Sequence, residues 1–127
     1  MRYFTLEEIL ELHFRVVQDF GGSHGVCDEA RLKSLVEAPQ LIAFSLEQYK
    51  TVFEKAAVYL RNCIADHTFV DGNQRTGVAL VGVFLMRNSV RLNASPRELE
   101  DFAVDVAVKH LEIAQVAAWL ETHSDTL

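Results

Sequence analysis

The sequence predicts an all-α fold, a small bundle of six helices packed around one hydrophobic helix. Three observations carry this reading: apolar residues recur at spacings of three and four through most of the chain, helix-capping signatures separate those stretches, and little of the sequence alternates with a strand's two-residue period. At 127 residues the chain fits one compact domain, residues 1–127, with no room for a second core.

Thr5-Leu6-Glu7-Glu8 has the form of a capping box, in which the threonine hydroxyl takes the Glu8 amide and the Glu8 carboxylate reaches back. Ile9, Leu12, His13, Val16, Val17 and Phe20 then make one apolar stripe, which ends at Gly21-Gly22. Asp28 caps a second helix, with Leu32, Leu35 and Val36 on its stripe, and this helix stops before Pro39. Residues 39–46 lack a helical period and are apolar and β-prone, which predicts a short extended flap. A third helix is expected from about Glu47 to Ala65, burying Phe53, Ala56, Ala57, Leu60 and Ile64 on one side.

The fourth helix begins at Asn73 or Gln74 and ends near Asn88. It is apolar on every side from Val78 to Met86 and is therefore the expected centre of the bundle. Ser95-Pro96-Arg97-Glu98 opens a fifth helix with a cap, a proline in its first turn and a reciprocal glutamate. A sixth is expected from about Glu112 to Thr122, burying Val116, Trp119 and Leu120, and Arg2-Tyr3-Phe4 is expected to pair with Val90-Arg91-Leu92 as a two-stranded patch.

The formal net charge is −6 and no run of adjacent basic residues occurs, which argues against direct nucleic-acid binding. The longest apolar run, Gly77 to Met86, is about half of what a bilayer requires. The N-terminus lacks the regions of a signal peptide, so the expected location is the cytoplasm, with Cys27 and Cys63 as buried thiols. His24, Cys27 and Asp28 make a poor metal set, and Gly21-Gly22-Ser23-His24-Gly25 lacks the Lys-Ser/Thr of a phosphate-binding P-loop and reads as a turn. His13, His110 and His123 show no ligand spacing and read as structural.

The chemistry concentrates between the third and fourth helices. His67-Thr68-Phe69-Val70-Asp71-Gly72-Asn73-Gln74-Arg75 supplies an imidazole, a carboxylate, amides and a guanidinium where any turn would connect the helices. Gly72 lets a ligand approach the backbone, and the first turn of the fourth helix offers unpaired amides and a positive dipole end to an anion. Arg75 is a forked donor for phosphate, Asp71 a hard oxygen ligand for magnesium, and His67 a group that accepts a proton near neutral pH. Together they predict a phosphate-plus-metal site with a base.

This segment resembles the signature of the Fic/Doc family, H-x-F-x-(D/E/N)-(G/A)-N-x-R. The chain length and the opening Phe20-Gly21-Gly22-Ser23-His24-Gly25 resemble the short Doc toxins rather than the longer Fic enzymes, so the resemblance covers essentially the whole chain. It implies a small helical bundle in which His67 is the general base, Asp71 binds the magnesium of ATP, and Gly72, Asn73, Gln74 and Arg75 hold phosphates. It further implies that Phe69 anchors the loop in the core and that the flap, through Leu41, Ile42 and Ala43, pairs with a protein target. The implied function is that of a toxin transferring a phosphoryl group from ATP to a hydroxyl of a translation factor such as elongation factor Tu, restrained by a separate Phd-like antitoxin. No glutamate here is followed by Gly or Asn, as the inhibitory helix of self-restrained Fic proteins would require.

Two positions depart from the adenylyl-transferring pattern H-x-F-x-x-G-N-G-R-x-x-R, since Gln74 and Val78 stand where it has glycine and a second arginine. Both favour phosphoryl over nucleotidyl (AMP) transfer. Doc-type kinases tend to carry lysine at the position of Gln74, which keeps a third reading open, a degenerate member that binds nucleotide or a partner without catalysis.

Overall fold

Local capping fixes where the helices begin. Thr5 Oγ1 accepts the Glu8 amide at 3.2 Å while Glu8 accepts the Thr5 amide at 3.0 Å, and Ser95 and Glu98 make the same reciprocal pair at 3.1 and 3.0 Å. A computed structural model describes residues 1–127. It contains α1 (Leu6–Phe20), α2 (Glu29–Glu37), α3 (Val52–Ala65), α4 (Asn73–Arg87), α5 (Pro96–Lys109) and α6 (Ile113–Thr122). Two antiparallel pairs of short strands accompany them: β1 (Ile42–Ala43) with β2 (Leu46–Glu47), and β3 (Val90–Leu92) with β4 (Ser124–Thr126). The fold is mainly α, as expected, and no helix is long and apolar enough to cross a membrane.

Several details correct the sequence expectation. The third helix starts at Val52, because the Thr51 hydroxyl accepts the Glu54 amide at 3.0 Å; Glu47 instead lies in β2. Residues 2–4 do not pair with β3. Asn88 takes the Arg2 amide and carbonyl at 2.9 and 3.2 Å, and the Tyr59 hydroxyl takes the Phe4 amide at 3.2 Å, which leaves β3 to the C-terminal residues. The centre of the bundle is shared: α3 is buried from Lys55 through Leu60 and again at Cys63 and Ile64, whereas α4 exposes Met86. Cys27 is exposed, since it lies on the turn before α2 rather than in an apolar face. Trp119 is half-buried at the core's edge, stacked between Phe102 and His123 at 4.0 and 3.8 Å.

The flap is a hairpin preceded by a 3-10 turn, Ala38–Gln40, whose Pro39 is buried. Ile42 faces Glu47 and Ala43 faces Leu46, while Phe44 and Ser45 turn the chain with both φ angles positive. Phe44 is 98% exposed at the tip. The far foot is held by Lys55, an almost fully buried lysine of α3 whose ammonium donates to Glu47 at 3.4 Å and to the Tyr49 carbonyl.

At the other end of α4, Arg87 lies over the Phe4 ring and pairs with Glu8. The Arg87 guanidinium, helped by the Thr5 amide, holds the Glu8 carboxyl well below its usual 4.5, at about 2. A carboxyl with a depressed folded-state value stabilises the fold above 4.5, and the contribution disappears as pH falls toward 2. The pair is partly solvated, so Glu8→Gln is expected to lower stability by about 1 kcal/mol or less near neutral pH. Urea unfolding across a pH series should show a flatter acid limb in that variant over the same interval.

Candidate active site

The site is the connection between the two most buried helices. Helix α3 ends at Ala65, and His67 turns the chain out of it with φ 48°, a left-handed conformation unusual for a non-glycine residue. Five residues later Gly72, at φ 77°, starts α4 with no side-chain cap. The first amides of α4 therefore face a cleft without a side-chain acceptor.

The loop between these points is pinned on both sides. Phe69 is fully buried and lies flat on the His13 ring, 3.8 Å away at 7° between planes. Main-chain bonds from Cys27 to the Thr68 carbonyl (2.9 Å) and from Val70 to the Gly25 carbonyl (3.1 Å) fasten the loop to the α1–α2 turn. Asn73 closes it from within: Oδ1 accepts the Phe69 amide and Nδ2 donates to the Phe69 carbonyl, each at 2.9 Å. Those two contacts fix the orientation of the amide, so the same Nδ2 faces His67 Nδ1 at 3.3 Å. Cys63 donates its thiol to the Asn73 carbonyl at 3.3 Å, and complete burial pushes that thiol up to about 12, too high for nucleophilic chemistry.

Asp71 is held twice. Its carboxylate Oδ2 accepts the Ser23 amide at 2.8 Å, and its carbonyl takes His13 Nε2, also at 2.8 Å. Gly22 makes the first contact possible, because a Cβ there would come within 3.2 Å of the Asp71 Cβ at a φ of +111°. Burial lowers the pKa of His13, against the Asp71 carbonyl, which favours the charged ring. Arg75 lies at the rim with its guanidinium 4.1 Å from the Phe20 ring centroid, paired to Glu100 of α5 at 3.1 Å.

A cleft of about 600 Å³ gathers His67, Asp71, Gly72, Asn73, Gln74 and Arg75. All of the residues expected to serve the base, the metal and the phosphates thus meet in one place. Leu41, Ile42 and Ala43 of the flap lie outside its lining. The Asn73 side chain is engaged within the loop, so what it turns to the cleft at the start of α4 is its main-chain amide. The donors suit magnesium shared with phosphate. With Oδ2 taken by Ser23, Asp71 retains one hard oxygen, and no group of three or more His, Cys, Asp or Glu is assembled to hold a cation unaided.

His13, Gly22, Ser23 and Glu100 were not singled out in the sequence as parts of this site. Gly21-Gly22 was visible as a helix stop, but the contact of Ser23 with a carboxylate 48 residues away has no local signature. Beyond Arg75 the cleft continues into an apolar groove of about 470 Å³ between α1, α4 and α5, lined among others by Phe20, Val78, Leu99 and Ala103.

The family profile described as Fic/DOC family matches residues 3–85. The chain is 32% identical over 117 residues to a protein named "Protein kinase doc" from Escherichia phage P1, covering 92% of this chain and 91% of that protein. It is 34% identical over 103 residues to "Toxin Doc" of Mycolicibacterium smegmatis, covering 80% and 79% respectively.

The left-handed backbone at position 67 gives a stability test. His67→Gly is expected to be more stable than His67→Ala by about 1 kcal/mol, because only glycine adopts that φ without strain. Urea midpoints of the two variants measure the difference.

Proposed function

This chain belongs to the Fic/Doc family, and we propose that it is the toxin of a toxin–antitoxin pair, transferring a phosphoryl group from ATP to a hydroxyl of a cellular protein and so arresting growth. The observation that carries the reading is the convergence, in one cleft, of an exposed imidazole, a carboxylate fixed by a backbone amide, and the uncapped start of a helix flanked by arginine. The kinase name of the phage relative supports phosphoryl rather than nucleotidyl transfer. So does Val78, which lines the apolar groove and supplies no second charge for a polyphosphate.

In this reading the amides at the start of α4 and the Arg75 guanidinium receive phosphate oxygens, with Arg75 leaving Glu100 to do so. Asp71 would hold magnesium, whose charge neutralises the phosphates. The target hydroxyl attacks the γ-phosphorus as the bond to the β–γ bridging oxygen breaks, ADP departs, and the hydroxyl proton passes to His67. A neutral ring that receives the Asn73 N–H at Nδ1 carries its own proton on Nε2, so the contact must open before the ring accepts another. At 3.3 Å that hydrogen bond is long, and opening it costs little.

The hairpin offers Leu41, Ile42 and Ala43 as an edge for the target, for which elongation factor Tu is the leading candidate. The apolar groove beside Arg75 is a docking place for the antitoxin, proposed as a Phd-like segment that folds on binding and covers the phosphate site, with the toxin acting in the cytoplasm.

Expression of the chain alone is expected to arrest growth, and His67→Ala to abolish the effect while lowering transfer by about 100- to 10,000-fold. In a lysate, label from γ-labelled ATP should appear on one target protein. Transfer of label from the α position instead would replace this assignment with nucleotidyl transfer.

A further inference from the structure

We propose that His13 is a positioning residue for the active-site loop: its Nε2–H, donated to the Asp71 carbonyl, anchors the Asp71 main chain against α1 and so fixes the place from which the Asp71 carboxylate projects. The inference rests on the reading of His67 to Arg75 as the active site.

His13 sits on the buried stripe of α1 with Ile9, Val16 and Val17, and is itself only 4% exposed. An apolar side chain would fill that place without the expense of desolvating an imidazole, which burial disfavours unless its polar atoms are matched. The match is specific. The Asp71 carbonyl can only accept, so the 2.8 Å contact assigns the proton to His13 Nε2. The ring's flat contact with Phe69 sets its plane, and thereby the direction of the donated hydrogen.

The peptide it holds adjoins a glycine. It joins Asp71 to Gly72, and glycine has the conformational freedom to accept a rotated peptide on its N-terminal side. Without the His13 contact the main chain at Asp71 would be free to shift away from α1, and its Cβ and carboxylate would move off the Ser23 amide with it. With the carbonyl fixed by His13 and Oδ2 fixed by Ser23, Asp71 is gripped at two points by α1 and the turn that follows it. Partners of this kind orient a ligating carboxylate without touching what it binds.

The test separates the ring from its donor. His13→Phe keeps an aromatic face on Phe69 and removes the N–H. Its affinity for ADP with magnesium, measured by titration calorimetry, is expected to fall by about 10- to 100-fold. ADP affinity in EDTA should stay near wild type. His13→Gln, which replaces the donor, should recover most of the loss, whereas His13→Met, of similar shape without a donor, should not. That second pair decides the matter if the phenylalanine variant does not fold. Magnesium-dependent ADP affinity unchanged in His13→Phe, or equal in the Gln and Met variants, overturns the role of His13 and leaves the active-site reading standing. A wild-type protein that binds no ADP with magnesium overturns both.

Discussion

Both main-chain polar groups of Phe69 lie in the interior of the protein, beyond the reach of the helices on either side. An amide and a carbonyl left unpaired there would each carry a penalty of about 1–3 kcal/mol. Asn73 meets both with one side chain, at 2.9 Å each, four residues further on. That closure makes the rest of the site possible. It lets an aromatic ring be buried in the middle of a polar loop, and it sets the radius of the turn. It also brings the residue that leaves α3 against the residue that starts α4. The remaining N–H of Asn73 then reaches the His67 ring, so the side chain that closes the loop also contacts the proposed base.

Around that closure, the bundle treats the loop as a wall to be supported. Helix α1 contributes His13 beneath Phe69, and the turn after it contributes the Ser23 amide and main-chain contacts through Gly25 and Cys27. Few of these are interactions that would hold two helices together by themselves. They are interactions that stop a short segment from adopting any of its other shapes. The phosphate site proposed here would need this, because amides and a guanidinium discriminate by direction and distance rather than by burial.

The parts of this architecture that the sequence displays openly are those whose cause is local. The capping boxes at Thr5 and Ser95, the Asp28 cap and the Gly21-Gly22 stop depend on residues within four positions of one another, and each appears in the structure where it was read. The nine-residue segment from His67 was equally legible, because its polar groups stand out between two apolar helices. What stayed hidden depends on distant partners. Arg2 to Phe4 look like a strand, but the side chains of Asn88 and Tyr59 take their backbone. Asn73 carries the same amide whether it faces a ligand or a neighbouring peptide, and only the fold turns it inward. His13 reads as one more member of an amphipathic stripe until the chain returns 58 residues later with a carbonyl for it.

The hairpin presents a different balance. Its feet are embedded, through Pro39 on one side and the Lys55 ammonium on the other, while its tip carries a phenylalanine and a serine in backbone conformations that favour asparagine and glycine. The turn is therefore not optimised for its own persistence; the bundle maintains it from below. Such a part is exchangeable: residues 42 to 46 can diverge in sequence without reopening the core, so long as Glu47 stays to face the Lys55 ammonium. If the hairpin is the target-binding edge proposed above, selection for new recognition can act there while the bundle beneath is left unaltered.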